Sequence, residues 1–221
     1  MTRVCKLACA GAGLLLTIFL ATGCGSSSAR LRLMNVYPSQ SSLDMLSDNK
    51  PIASGITYAA ASAYSSVGSG SHTLTVEPSG ISTAISSQSV TLGSHSDSTV
   101  LATSAGTVVL ADTNTAPASG QIEIRVINAS STLRTADVYI VTAGTNISGV
   151  NPTVSGLAFE SASSYQTLSA GSYEVIFTVP GQTFAVIDSS SLSFSAGQIR
   201  TIVGLDGQSG GFTSAVLSDL N

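Results

Sequence analysis

The chain has 221 residues but no tryptophan, only three cysteines and only two histidines. Cys5 and Cys9 lie within the first ten residues, and beyond them Cys24 is the one remaining thiol. One thiol cannot form an internal disulfide, and two histidines without a cysteine partner do not make a zinc site. These absences exclude an antibody-type domain, with its tryptophan packed against a disulfide. The fold must therefore be held together by its apolar core.

Charge is also scarce, since 9% of the residues are charged. After Cys24 there are six basic and twelve acidic residues, so this part carries a net charge of about −6 (6 − 12). A nucleic-acid partner would require a basic stripe, and none is present in the sequence. Long amphipathic helical patterns are missing as well. The abundant residues, β-branched and small polar ones, are typical of strands with modestly polar outer faces.

No apolar run reaches the length of about 20 residues that a membrane-spanning helix needs. The run near the N-terminus covers residues 8–21, follows the basic Arg3 and Lys6, and ends in small residues. A basic start, an apolar middle and a small-residue end are typical of a secretory signal peptide.

Residues 20–24, Leu-Ala-Thr-Gly-Cys, resemble the lipobox of bacterial lipoproteins. The resemblance implies that residues 1–23 are a signal peptide that is removed, and that Cys24 is the lipid attachment site. Residues 24–29 would then be the lipidated cysteine and its tether. Several acyl chains make a firm membrane anchor, because each buried methylene contributes about 0.8 kcal/mol.

Gly25 follows the cysteine where an inner-membrane lipoprotein would carry aspartate. The same resemblance therefore implies that the protein is anchored in the outer membrane of a bacterial cell envelope. A plain signal peptide cleaved near Gly23 or Ser28 is the alternative.

The rest of the chain contains an internal repeat. The pentapeptide Leu-Arg-Leu-Met-Asn at residues 31–35 returns at residues 124–128 as Ile-Arg-Val-Ile-Asn. Its arginine and a following aspartate both recur after 93 residues (125 − 32 and 137 − 44). The similarity extends to the last strands, where residues 108–112 match residues 215–219. The repeated polar residues, which we predict to be structural, are Arg32, Asn35, Asp44, Arg125, Asn128 and Asp137.

The repeat predicts two tandem domains, at residues 30–116 and 121–221, joined by a linker at residues 117–120. Each domain has about seven short segments of alternating apolar residues, with turn signals roughly 8–12 residues apart. Leu31 and Leu33, for example, predict the buried face of an opening strand. We therefore predict an all-β fold of two antiparallel β-sandwiches, each immunoglobulin-like or transthyretin-like.

Three short motifs resemble those of the bacterial family called domain of unknown function 4397. They are Arg-Leu-Met-Asn-Val-Tyr-Pro at residues 32–38, Gly-Ser-His-Thr-Leu-Thr-Val at 70–76 and Ala-Asp-Val-Tyr at 136–139. The chain departs from the pattern at Ser131, which stands where the first repeat has proline, and at residues 45–46, where Val-Tyr is usual. The resemblance implies exported, often lipid-anchored β-sandwich modules, and it implies no activity.

Two motifs have the letters of catalytic sites but lie in predicted turns. Residues 207–211, Gly-Gln-Ser-Gly-Gly, fit a nucleophile elbow, yet a strand rather than a helix is predicted to follow. Ser47 and Lys50 fit a Ser-x-x-Lys motif, but Pro51 directly after them predicts a turn between strands. We predict no catalytic residues and no cofactor.

The two histidines are also predicted to be non-catalytic. His72 takes the place of Tyr173 in the repeat, which predicts a half-buried strand residue. His95 is predicted to lie in a solvated loop.

The repeated arginines and aspartates suggest a structural pairing. We expect Asp44 and Asp137 to accept hydrogen bonds from the backbone or from the arginine of their own repeat. The alternative is a calcium site, although the sequence has no dense Asp-x-Asp run. Its ligands would come from Asp44, Asp48, Asp137, Asp206 and Asp219.

These observations favour a non-catalytic envelope lipoprotein that acts in adhesion, scaffolding or ligand binding, with a protein or a glycan as partner. The alternative is an accessory carbohydrate-binding protein, which would need an exposed aromatic platform. An enzyme would need a convergent acid, base and nucleophile, which the sequence does not offer. The aromatic candidates for a platform are Tyr37, Tyr58, Tyr64, Tyr139, Phe159 and Tyr165.

Overall fold

The computed structural model describes residues 27–220, which form eighteen β-strands and no helix. This part of the chain therefore contains no helix that is long and apolar enough to cross a membrane. The prediction of an all-β fold is confirmed. The predicted signal peptide and Cys24 lie outside the described residues.

The first half of the molecule, residues 28–112, contains eight strands in two sheets. They are β1 (Ser28–Asn35), β2 (Ser42–Ser47), β3 (Lys50–Thr57), β4 (Ser65–Gly68), β5 (Gly70–Pro78), β6 (Ser86–Leu92), β7 (Asp97–Thr103) and β8 (Gly106–Asp112). One sheet has the order β4-β1-β7-β8 and the other β3-β2-β5-β6. The first strand begins at Ser28, so residues 28 and 29 belong to a strand rather than to the predicted tether.

The second half, residues 121–220, repeats this arrangement with ten strands. They are β9 (Gln121–Asn128), β10 (Thr135–Thr142), β11 (Val154–Ala158), β12 (Ser161–Ala162), β13 (Gln166–Ser169), β14 (Gly171–Thr178), β15 (Ile187–Asp188), β16 (Leu192–Phe194), β17 (Ile199–Asp206) and β18 (Phe212–Leu220). One sheet has the order β12-β9-β17-β18, with β13 also paired to β9. The other has the order β11-β10-β14-β15, with β16 also paired to β14. Within the described residues, these strand pairings all stay inside one half.

Two of the four sheets are mixed, which corrects the prediction of purely antiparallel sheets. Strand β1 pairs with β7 in parallel, and β9 pairs with β17 in parallel. In the first half, β2 and β3 lie in the facing sheet between β1 and β7 in the chain. The chain returns to the first sheet at β4, which is antiparallel to β1, and after β5 and β6 of the facing sheet it returns again at β7, parallel to β1.

Each half has an apolar core between its two sheets, in a sandwich-like arrangement. In the first half, Leu31 and Leu33 of one sheet pack with Leu43 and Met45 of the other. A corresponding cluster in the second half includes Phe177, one of the largest fully buried side chains of the described residues. The predicted buried face of the opening strand is thus confirmed.

A third apolar cluster lies between the halves. Met34 and Leu101 of the first half pack with Ile127, Val203 and Leu217 of the second. Their side chains point out of their own sandwiches, on the faces opposite the two inner cores. The outer faces of these sheets are therefore covered by one another, which explains why polar residues on them are buried.

Candidate functional site

The arginine of the first pentapeptide reaches across to the second half. Arg32 donates a hydrogen bond from Nη2 to Oδ1 of Asp219, and another from Nη1 to the carbonyl oxygen of Ser218 at 2.8 Å. Its Nε donates to Oγ1 of Thr99 at 2.8 Å. The arginine side chain is only 4% exposed and the aspartate side chain is fully buried. The guanidinium of the first half is therefore buried against a carboxylate of the second half.

Arg125, the second copy, makes the equivalent contacts, two of them to the first half. Its Nη2 donates to Oδ1 of Asp112 at 2.6 Å, and its Nη1 donates to the carbonyl oxygen of Ala111 at 2.8 Å. Its Nε donates to Oγ1 of Thr201 at 3.0 Å. The two arginines thus cross, each holding the last strand of the other half.

Each aspartate also receives hydrogen bonds from its own half. Oδ2 of Asp112 accepts from Oγ1 of Thr99 at 2.6 Å and from the hydroxyl of Tyr64 at 2.7 Å. The second half repeats this with Thr201 at 2.6 Å and Tyr165 at 2.8 Å as donors to Oδ2 of Asp219. Both carboxylates are therefore well supplied with donors, as buried charges must be.

The tyrosine rings close the network from the side. The guanidinium of Arg32 lies 4.6 Å from the ring centre of Tyr64, and that of Arg125 lies 4.7 Å from the ring centre of Tyr165. Burial raises the pKa of both tyrosines, so they remain protonated donors. We call the eight residues of this network the junction: Arg32, Tyr64, Thr99, Asp112, Arg125, Tyr165, Thr201 and Asp219.

The predicted pairing of each arginine with the aspartate of its own repeat is wrong. The arginines point out of their sandwiches, whereas Asp44 lies on β2 of the other sheet. Its Oδ1 accepts from the backbone nitrogen of Gly55 at 2.6 Å and from Oγ of Ser79 at 2.7 Å. The other expectation, hydrogen bonds from the backbone, is correct.

Asp137 likewise accepts hydrogen bonds from the backbone of the second half. It accepts from the backbone nitrogens of Gly156 at 2.8 Å and Gly181 at 2.9 Å. Gly156 has a φ of 63°, a left-handed conformation that suits glycine, and it lies in the edge strand β11. The aspartate thus ties this glycine of an edge strand to the loop that follows β14.

The repeated asparagines join the two sheets of each half. Nδ2 of Asn35 donates to the carbonyl oxygen of Ile56 at 3.1 Å, and Nδ2 of Asn128 donates to that of Leu157 at 3.0 Å. Each asparagine lies at the end of the opening strand, and its partner lies on an edge strand of the facing sheet. The polar residues of the repeated motif therefore all make hydrogen bonds to other parts of the described chain.

The structure does not assemble the catalytic-looking motifs. Ser209 lies in the hairpin turn between β17 and β18, where Asp206 pairs with Phe212. Ser47 and Lys50 close the hairpin between β2 and β3, as predicted. His95 is exposed in the turn before β7.

The carboxylates of the suggested calcium site are not brought together. Asp206 accepts from the backbone nitrogen of Ser131 at 3.0 Å and from its hydroxyl at 2.9 Å. Asp219 belongs to the junction, while Asp44 and Asp137 bind loops of different halves. Within residues 27–220 no group of three or more His, Cys, Asp or Glu side chains could hold a metal ion.

The aromatic side chains suggested for a platform are buried or half-buried. Tyr64 and Tyr165 belong to the junction. Tyr58 donates its hydroxyl to the carbonyl oxygen of Asp206, and burial raises the pKa of Tyr58 to about 12. Tyr139 packs with Ile147 and Ile176 inside the second half.

A cleft in the first half holds a further cluster of polar groups. His72 lies with Nδ1 2.7 Å from Oδ2 of Asp48 and with Nε2 2.9 Å from the carbonyl oxygen of Gly68. The backbone nitrogen of Thr73 donates to Oδ1 of Asp48 at 2.9 Å, and this bond, helped by His72, lowers the pKa of Asp48. The cleft has a volume of about 260 Å³ and is lined by Ser47, Asp48, Lys50, Ile52, Ser66, Val67, Gly68 and His72.

Sequence reasoning missed both the junction and the cleft. Asp112 and Asp219 were visible as matching ends of the last strands, but nothing local indicates that each binds an arginine of the other half. For the cleft, a signal was available, because the offset of 93 that relates the arginines (125 − 32) places Ser47 on Ile140. A serine at the position of a core isoleucine indicates a polar cavity.

Among curated proteins, none matches the chain. Two solved structures show a distant likeness. The family CBM26 module CBMbc from Eubacterium rectale Amy13K, in complex with maltoheptaose, is 11% identical with a TM-score of 0.27, over 88% of this chain and 98% of that one. Family 41 carbohydrate-binding modules from streptococcal virulence factors, solved for α-glucan recognition, are 14% identical with a TM-score of 0.29, over 85% and 96%. Such TM-scores support no inference about a ligand of this chain.

The family model described as domain of unknown function (DUF4397) matches residues 29–139, half of the chain. The matched range begins in β1 and ends in β10. It contains five residues of the junction, and also Asp44 and Asp137. The chain belongs to the DUF4397 family.

Proposed function

We propose that the protein is a non-catalytic, lipid-anchored protein of the bacterial cell envelope. Its two halves are tandem β-sandwich domains that act as one rigid unit in adhesion, scaffolding or ligand capture. The observation that carries this proposal is the junction. Its four charged groups form two ion pairs between the halves, so the arginines of the repeated motif have a structural role.

The energetics of buried charge support a rigid unit. Taking two arginines and two aspartates out of water is costly, and the cost is offset only by well-placed partners. Each guanidinium has three hydrogen bonds, and each carboxylate has donors on both oxygens. Sliding or tilting one half against the other would break several of these bonds at once. The two halves therefore move together, which suits a scaffold or a binding protein.

The engagement of these groups also argues against catalysis by them. A general acid, base or nucleophile must be within hydrogen-bonding reach of a substrate. The side chains of the arginines and aspartates in the junction are at most 4% exposed. Robust turnover in a hydrolase screen, lost in Ser209→Ala, would overturn the non-catalytic part of the proposal.

The anchor is supported by the lipobox-like residues 20–24, and the outer membrane by Gly25. Metabolic labelling of the full chain with a clickable palmitate tests the anchor, with Cys24→Ser as the control. We expect the label on the unchanged protein and its loss in Cys24→Ser, which should then leave the membrane fraction. Equal labelling of both proteins, or none of either, would contradict the anchor. Density-gradient separation of the two membranes tests the location.

A cross-linked pull-down from intact envelopes tests the binding or scaffolding role. The lipidated protein should recover a defined partner that the Cys24→Ser protein, released from the membrane, recovers less well. Exposed aromatic stacking is not part of this proposal, because the aromatic candidates are buried or half-buried. A glycan ligand is favoured instead by the cleft beside His72 in the first half.

A further inference from the structure

The two halves differ at one position of the inner core. Ser47 on β2 is paired with Leu74 on β5, and Ile140 on β10 is paired with Val175 on β14. These pairs are equivalent, because β2 and β10 carry the repeated aspartate three residues earlier. The second half therefore fills with isoleucine a place where the first half has a serine.

A second substitution lies beside the first. His72 occupies the position of Tyr173, whose hydroxyl donates to the carbonyl oxygen of Ser169 at 2.9 Å. Both Tyr173 and Ile140 belong to the apolar cluster of the second half. In the first half, the smaller Ser47 and His72 leave the cleft of about 260 Å³.

The hydroxyl of Ser47 has no hydrogen-bond partner among the described residues. Ser47 is 4% exposed, and it lies on the same side of β2 as the core residues Leu43 and Met45. A buried hydroxyl without a partner is costly, and Ile140 shows that the fold does not require one here. Ser47 is one of the residues that line the cleft, so its unpaired hydroxyl lies next to the space that a bound molecule would occupy.

The other groups of the cleft define what that molecule must be. Asp48 and Lys50 bring opposite charges to the same wall, so their attraction and repulsion largely cancel for a ligand that carries a single charge. A hydroxyl group can donate to Asp48 and accept from Lys50. Ile52 and Val67 add an apolar wall that suits C–H groups.

The size of the cleft points to a small ligand. Pockets for drug-sized molecules start at about 300 Å³, slightly above the volume found here. A single sugar ring has hydroxyls around its rim, C–H groups on its faces and no charge.

We propose that this cleft binds one neutral sugar ring, with Ser47, Asp48 and Lys50 as hydrogen-bonding residues. The proposal rests on the proposed function, ligand capture, and names the class of ligand. The hydrogen bonds of His72 to Asp48 and Gly68 hold the wall of the cleft in shape. At the equivalent place in the second half, Ile140 and Tyr173 pack in the apolar cluster, so the proposed site belongs to the first half.

Saturation-transfer difference NMR on the full chain tests the site, in a detergent without a sugar headgroup. The probes are methyl β-glucopyranoside, methyl β-galactopyranoside and methyl N-acetyl-β-glucosaminide at millimolar concentration, with acetate as a charged probe. The double variant Ser47→Ile/His72→Tyr copies residues of the second half. Ser89→Ile makes the same serine-to-isoleucine change on the exposed side of β6 and is the matched control.

We expect saturation transfer to at least one glycoside, and not to acetate, with the unchanged protein and with Ser89→Ile. The signal should fall roughly tenfold or more in the double variant. Lys50 is exposed, so Lys50→Met tests the same cleft without disturbing the core, and it should weaken the signal as well.

Absence of transfer to every glycoside would overturn the proposal and leave ordered water as the partner of Ser47. An undiminished signal in both the double variant and Lys50→Met would place the sugar elsewhere on the protein. That second outcome would refute the cleft as the binding site but would leave ligand capture as the proposed function. Failure of the palmitate labelling or of the envelope pull-down would instead refute the proposed function itself.

Discussion

Replacing Arg125 by methionine removes one of the two buried guanidinium groups and keeps an apolar side chain of similar length. The change deletes three hydrogen bonds, to Asp112, Ala111 and Thr201. It leaves the fully buried carboxylate of Asp112 without its closest cation. Removing one partner of a buried ion pair costs about 3–5 kcal/mol. Asp112 keeps its two hydroxyl donors and the guanidinium of Arg32 at 3.8 Å, so we expect about 3 kcal/mol.

Equilibrium unfolding in urea, followed by tyrosine fluorescence, measures this loss. The chain has no tryptophan and six tyrosines, of which Tyr64 and Tyr165 lie over the arginines of the junction. With a urea dependence of about 1–3 kcal/mol per molar, a loss of about 3 kcal/mol should lower the midpoint by roughly 1–3 M. The urea midpoint of the Arg32→Met variant should fall by a similar amount, because the two arginines have matching contacts. The double variant should lose more than the sum, since each single variant keeps one guanidinium 3.8 or 3.9 Å from the carboxylate that lost its closest cation.

Arg134→Met is the control, because Arg134 is exposed in the loop between β9 and β10. Its free energy of unfolding should stay within about 0.5 kcal/mol of the unchanged protein. If Arg125→Met and Arg134→Met had the same midpoint, the junction would contribute nothing to stability and the rigid unit would be refuted. A lower urea dependence in Arg125→Met, with two separate transitions, would mean instead that the halves had become independent.

Three further predictions address other parts of the fold. Asp137→Ala removes the acceptor of two backbone N–H groups and should lower the free energy of unfolding by about 1–3 kcal/mol, measured by thermal denaturation; no change would mean that water replaces it. The lowered pKa of Asp48 means that its stabilisation is present above its ordinary pKa of 3.8 and is lost as the pH falls through the lower folded value. The stability difference between the unchanged protein and Asp48→Asn should therefore shrink in acid, and a difference independent of pH would contradict this assignment. Gly204→Ala places a Cβ 3.0 Å from side-chain atoms of Phe177 and Ile187, so overpacking should cost about 1–3 kcal/mol in the same thermal assay, and an unchanged melting temperature would mean that the core yields freely.

The outline of the fold could be predicted from the sequence because it depends on local patterns. Leu31 and Leu33 alternate with arginines, and this period of two is enough to predict a strand with one buried face. The recurrence of the pentapeptide after 93 residues (125 − 32) predicts a second copy of the same strands. Both features are fixed by neighbouring residues, so no knowledge of distant contacts was needed.

The partners of the arginines could not be predicted, because they depend on how the two halves pack. Arg32 and Asp219 are 187 residues apart, and the alternation of residues around Arg32 suggests a solvent-facing side chain. This outer face of the sheet is buried only because Met34 and Leu101 pack against residues of the second half. The parallel pairing of β1 with β7 was missed for a related reason, since periodicity reports which face is buried but not which strand is the neighbour.

The symmetry of the junction explains where this molecule is free to vary between its halves. Each arginine needs an aspartate from the other half, so a change in one copy leaves a buried charge unpaired in the other. Ser47 and Ile140 lie inside separate sandwiches and carry no such mutual requirement. One copy can therefore keep an apolar core while the other opens a polar cleft, at a cost limited to its own sandwich. Differences between the halves, rather than the repeated motif, are thus where a binding function is best sought.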